Sequence, residues 1–200
     1  MANSVEIVNS ALTKLGASRI MSLDDNVKEA REMHAIYDLR RDALLRAHNW
    51  SFSMKRTSLP ALVDAPAWGY TYAYQLPSDC LRVVQVGDLW VIPGFADYIG
   101  GPDNEPYKIE GRTIVTDWSA PLKIRYIYRV TDTSLHDALF NEALASDLAY
   151  QACEALTQSN SKREAASNDF SEAIRTAVRA NAIELPPQAI PDDSWIMSRL

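Results

Sequence analysis

Proline and glycine divide this chain before any motif is consulted. Seven of the ten prolines (60, 66, 77, 93, 102, 106 and 121) and six of the seven glycines (69, 87, 94, 100, 101 and 111) fall between residues 60 and 121, and the other three prolines lie in the last fifteen residues. Proline removes a backbone donor and clashes with the preceding turn, and glycine weakens a helix interior. The two flanks are therefore free to form long helices, and the middle is not.

The first flank predicts two helices. Asn3 and Glu6 have capping-box spacing, Val5, Val8, Leu12 and Leu15 trace an i, i+3, i+4 stripe, and Gly16 suits a left-handed stop. A second start is expected at Asn26 with Glu29, followed by Val27, Ala30, Met33, Tyr37, Leu44 and Leu45 on one side. This apolar side runs over about 22 residues, roughly 33 Å of helix, and is expected to end near His48. Trp50 then follows, and it is expected to lock the helix exit against the β part of the chain.

The middle reads as five or six short antiparallel strands. Tyr70, Tyr72, Tyr74 and Leu76 alternate on one face, as do Leu122, Ile124, Tyr126, Tyr128 and Val130 with Lys123, Arg125 and Arg129 opposite. Leu81 to Val86 and Leu89 to Ile92 lie between them, and Gly111 is placed to turn Tyr107 to Glu110 back into Arg112 to Thr116. Helices resume at Ser134, with Phe140, Ala143, Leu144, Leu148, Ala152 and Leu156 on one face. Ser161 with Glu164 begins a last helix through Ala166, Phe170, Ile174, Ala177 and Val178. Three of the four helices thus carry a capping-box pattern at their start. Neither helix pair can bury its stripe alone. The predicted fold is therefore α+β: an antiparallel helical bundle of about four helices (1–49 and 133–184), an inserted antiparallel β subdomain (50–132) and an extended C-terminal tail (185–200).

Little in the sequence points to chemistry. It contains no phosphate loop, dinucleotide fingerprint, His-Glu-x-x-His helix or nucleophile elbow, so no catalytic residue, metal ligand or cofactor is assigned. Cys80 and Cys153 lack metal-ligand spacing and read as small buried groups in a reducing compartment. His34 and His48 sit at helical spacing, where a partly buried, satisfied imidazole is expected, and Asp24-Asp25 stands at a helix start, where acids favour the dipole. No apolar run reaches the ~20 residues that span a bilayer, and the start of the chain lacks the pattern of a secretion leader. The net charge of -6 argues against a surface that embraces nucleic acid everywhere, while leaving room for a local basic face. Arg31, Arg40, Arg41 and Arg46 form the basic side of the second helix, and Arg40 and Arg41 are candidate contacts for phosphate or an acidic partner. The tyrosine stripe is a candidate stacking platform, with a place in the core as the plainer reading. The tail's Trp195, Ile196, Met197 and Leu200, after Pro186, Pro187 and Pro191, are candidate docking residues, because exposed bulky apolar groups cost solubility unless a partner covers them.

In order and spacing, the first 85 residues resemble the phage head-to-tail adaptor family that includes tail tubular protein A. The matching pieces are Asn9-Ser-Ala-Leu-Thr-Lys-Leu-Gly16, Ser22-Leu-Asp-Asp25, Glu29-Ala30 through Tyr37, Arg41-Asp42-Ala-Leu-Leu45, Asn49-Trp50-Ser-Phe52 and Tyr74-Gln-Leu-Pro-Ser-Asp-Cys-Leu-Arg-Val83. The resemblance implies a structural virion protein without enzymatic activity. It would form a dodecameric ring in the neck, docked on the portal protein on one side and on the tail tube or nozzle on the other. Genomic DNA would pass through the channel with transient contact, and assembly would take place in the host cytoplasm. Two other classes stay open on the residues alone: a muralytic enzyme using a carboxylate pair, and a nucleic-acid-binding module using the second helix.

Overall fold

The computed structural model describes residues 3–90 and 106–184, and its fold is α+β, with four helices and two antiparallel sheets among those residues. Helix α1 (Ser4–Leu15) begins at the predicted capping box: the Asn3 side chain accepts from the Glu6 N–H at 2.8 Å, and Glu6 Oε2 accepts from the Asn3 N–H at 2.9 Å. It ends at Gly16, whose φ of 67° lets the Ala17 N–H reach back to the Leu12 carbonyl at 2.9 Å.

Helix α2 (Lys28–Ala47) starts differently from the sequence expectation. Its cap position is Val27, which supplies no side-chain hydrogen bond, and Asn26 is not the capping residue. The preceding loop is closed by Asp25 instead, whose Oδ2 accepts from the N–H groups of Met21 (2.8 Å) and Ser22 (2.9 Å). Helix α3 (Ala138–Thr157) begins four residues later than expected, because residues 133–135 form a 3-10 turn capped by Asp132. The α3 cap is Asp137, accepting from Leu139 at 2.8 Å and Phe140 at 3.2 Å. Gln158, at φ 51°, then turns the chain into α4 (Asn160–Glu184), which starts one residue before Ser161.

Helix α3 packs against the other three helices. Every residue from Ala143 to Ala149 is buried, as expected of a helix covered on all sides, and its alanines let the neighbours approach closely. The core around it includes Leu12, Met33, Leu45, Trp50, Phe140, Leu144 and Leu148.

The strands are β1 (Met54–Leu59), β2 (Tyr72–Gln75), β3 (Cys80–Val86), β4 (Leu89–Trp90), β5 (Tyr107–Glu110), β6 (Thr113–Thr116) and β7 (Leu122–Tyr128). One sheet has the order β1-β7-β3-β4 and the other β2-β6-β5. Gly111 (φ 59°) and Gly87 (φ 57°) each open a two-residue hairpin loop, where the left-handed backbone suits glycine. The tyrosine strand is shorter than expected, covering Tyr72–Gln75 only.

The first sheet faces two cores. Leu59, Val83, Val86, Leu122, Ile124 and Tyr126 meet Tyr74, Leu76 and Ile114 of the second sheet's side, whereas Val84, Ile127 and Val130 enter the helical core. Val83 and Val84 enter different cores by ordinary strand alternation, and a register irregularity between Val83 and Gln85 brings Val86, three residues after Val83, back to the same core as Val83.

Candidate interaction surfaces

The structure places the sequence-derived candidates unevenly. Trp195, Ile196, Met197 and Leu200 lie outside the described residues. Arg40 and Arg41 face carboxylates within the chain rather than an open surface. Arg40 Nε and Nη2 donate to Asp147 Oδ2 (2.7 Å) and Oδ1 (2.8 Å), joining α2 to α3, and these bonds raise the guanidinium's pKa. Arg41 is buried and donates to Asp38 Oδ1 at 2.7 Å and Asp42 Oδ1 at 2.9 Å. Asp42 Oδ2 also accepts from Arg129 Nε at 2.6 Å, which ties α2 to the end of β7. Arg46 donates to the Leu81 carbonyl in β3. Of the four arginines on this side of α2, Arg31 stands exposed away from these joints.

Trp50 lies in the core that the helices share with Val84 and Ile127 of β3 and β7. It is 1% exposed, donates from Nε1 to the Leu44 carbonyl at 3.0 Å, and meets Phe140 of α3 edge-on at 5.1 Å. It therefore fixes the α2 exit against Phe140 of α3 in a core that Val84 and Ile127 of the strands also enter. Asn181 of α4 completes this joint by accepting from the Ser51 N–H (2.8 Å) and donating to the Asn49 carbonyl (2.9 Å). His48 packs edge-on to Trp50 at 5.1 Å, and burial followed by the nearby Arg82 charge lowers its pKa. His136 is buried between the Val130 carbonyl and Asn141. His34 departs from the expected partial burial: it is exposed, with Nδ1 3.2 Å from the Leu23 carbonyl. The tyrosine stripe serves the core, since Tyr74 is 0% exposed and donates to the Trp118 carbonyl at 2.6 Å.

Two surfaces emerge that the sequence reading did not assemble. The first lies on the first sheet. Cross-strand partners Met54 and Ile127 pack toward the helical core, and alternation along β1 and β7 then carries Arg56 opposite Arg125 and Ser58 opposite Lys123 on the same face. Beyond the helices this face becomes a groove of about 440 Å³ lined, among the described residues, by Arg56, Ser58, Gln85, Gly87, Lys123 and Arg125. Burial, and then the Arg56 charge, lower the Arg125 pKa.

The second surface is the loop between β1 and β2. Val63 and Trp68 are 101% and 87% exposed, and Leu62 is also exposed. The backbone beneath them is held: the Leu62 N–H donates to the Ala73 carbonyl at 2.8 Å, and the Thr71 N–H and hydroxyl both donate to Asp117 Oδ1 at 2.8 Å. An anchored loop thus carries its apolar side chains into solvent.

Among the described residues, no group of three or more His, Cys, Asp or Glu side chains is placed to hold a metal ion, and no helix is long and apolar enough to cross a membrane. A scan against protein-family models and a search of curated proteins both return no match for this chain.

Proposed function

We propose that this chain is a structural phage head-to-tail adaptor subunit. It forms a ring between portal protein and tail tube or nozzle, with genomic DNA passing through the channel. The observation that carries this reading is the anchored apolar loop. Val63 and Trp68 stand in solvent on a backbone pinned by hydrogen bonds, and a large aromatic held in that way is suited to burial against another subunit. A ring built from heterologous contacts needs such protruding side surfaces.

The residues that carry the family resemblance support the same reading, because they are the ones that shape the joints. Asn9 pins the loop after α1, donating from Nδ2 to the Ile20 carbonyl at 2.9 Å and accepting from the Ile20 N–H at 2.8 Å. Asp25 closes the following turn, Trp50 fixes the α2 exit, and Leu76 enters the core between the sheets. A similar order of joints implies a similar fold, and the ring role follows from that likeness as a proposal.

The test is assembly on the portal protein from the same genome, viewed by negative-stain electron microscopy. The reading expects added ring density with the unsubstituted chain, and loss of that density with V63S/W68S while its far-ultraviolet circular dichroism is unchanged. A chain that never associates with the portal overturns the proposal.

A further inference from the structure

We propose that the anchored β1–β2 loop docks into a groove at the start of α2 on a second copy of this chain, with Trp68 as the inserted side chain. The inference rests on the adaptor reading for the loop's role as a subunit contact, and it names the neighbour's half of that contact. The groove occupies about 580 Å³ between the α1–α2 loop and the first two turns of α2. Among the described residues, its lining includes Leu23, Asp24, Arg31, His34 and Ala35. Further apolar side chains stand beside it. Met21, whose N–H is bound by Asp25, is 91% exposed, and Leu39, one helical turn after Ala35, is 72% exposed. Val27, at the α2 cap and one turn before Arg31, is exposed as well.

The chemistry of this groove matches an indole. Leu23 and Ala35 supply apolar surface for the ring. Arg31 is exposed and brings a cation to the ring's face. Asp24 lies 3.4 Å from His34 Nδ1 through Oδ1 and keeps 83% of its side chain in solvent, so it has acceptor capacity left for the indole N–H. Within one chain the two surfaces do not meet, because Val63 and Trp68 stand in solvent. A projecting side chain and a groove at different places on one chain make a heterologous contact, which passes from copy to copy and closes a ring when the rotation fits. A Trp side chain buries about 150 to 250 Å², well short of the ~1,200 Å² of stable complexes. The contact is therefore weak between free chains and gains strength when the portal holds neighbours side by side.

The experiment is photo-cross-linking of the full chain carrying p-benzoylphenylalanine in place of Trp68. Equal amounts of nitrogen-14 and nitrogen-15 chain are mixed, at high concentration alone and on the portal protein, and the cross-linked peptides are mapped by mass spectrometry. The expected product joins position 68 of one copy to residues 21–39 of another, shown by mixed isotopes. A35E places a charged side chain in the groove and should lower that yield at least about tenfold by excluding the occupant. R31Q removes the cation and should lower it about two- to fivefold. Both positions are exposed on α2, so circular dichroism should be unchanged, and R31Q serves if A35E fails to fold. Cross-links that map to the portal or to other parts of the chain, cross-links confined to one isotope, a yield untouched by A35E and R31Q, or no cross-link on the portal overturn the proposal. Portal association with cross-links elsewhere leaves the adaptor reading standing and removes this one. Mixed-isotope cross-links to residues 21–39 in a chain that ignores the portal do the reverse.

Discussion

Asp147 and Arg40 make an unequal pair, and the inequality sets the outcome of replacing either one. Asp147 is 1% exposed in the middle of α3, whereas the Arg40 side chain keeps 34% of its surface in solvent. Removing one partner of a buried pair costs about 3 to 5 kcal/mol, because the remaining charge is left without compensation. R40M strands the buried carboxylate and is expected near the upper part of that range. D147N leaves a guanidinium that reaches water, so its loss should be about 1 to 3 kcal/mol, the cost of weakened charge-assisted hydrogen bonds. R40M/D147L removes both charges and should regain most of the stability, since an apolar pair of similar volume often replaces a buried ion pair at little cost. Urea unfolding followed by circular dichroism at neutral pH measures all three, with m-values checked for constancy. A loss below about 1 kcal/mol for R40M, or a larger loss for D147N than for R40M, would refute the assignment of Arg40 to an internal structural role.

Three further outcomes follow from the same structure. Trp50→Ala removes a 1% exposed ring that touches Phe140 and Phe52 and should cost about 3 to 5 kcal/mol in chemical unfolding; a change below about 1 kcal/mol would contradict its place in the helical core. His48 is held below its usual pKa by burial and by Arg82, so the unfolded chain takes up a proton that the folded chain resists. Stability should therefore fall as pH drops from about 6.5 toward the folded pKa, and H48Q should flatten that part of the melting-temperature profile. R56Q relieves the cross-strand repulsion with Arg125 and should stabilise the isolated chain by about 0.2 to 1 kcal/mol, measured as a raised denaturation midpoint at low salt.

Local signals explain why some elements were readable and others not. The α1 capping box and Gly16 stop are set by residues within a few positions of each other, so their spacing was sufficient. Gly111 marked its hairpin for the same reason, since a left-handed first position in a two-residue loop selects glycine. Strand β1 escaped notice because Met54–Leu59 is an edge strand whose fully buried residue is Leu59 alone, which leaves no apolar alternation to read. The start of α2 was misplaced because Asn26 and Glu29 have the right spacing while the chain uses Asp25 to close the loop before them. Arg40 and Arg41 looked like a basic face because their carboxylate partners include Asp147, more than a hundred positions away. The basic groove was half legible: Lys123 and Arg125 alternate visibly on β7, but Arg56 joins them only through the register with the unread strand. The β1–β2 loop gave no warning, because its exposure depends on the anchors at Ala73 and Asp117.

The most direct measurement of the central proposal is the particle mass of the full chain, alone and mixed with the portal protein of the same genome, by mass photometry. The chain weighs 22.4 kDa, so a closed twelve-subunit ring on the portal adds about 270 kDa. A complex heavier than the portal by that increment is the predicted result, whether or not the free chain is already assembled. An unchanged portal mass in the presence of excess chain would contradict the adaptor role.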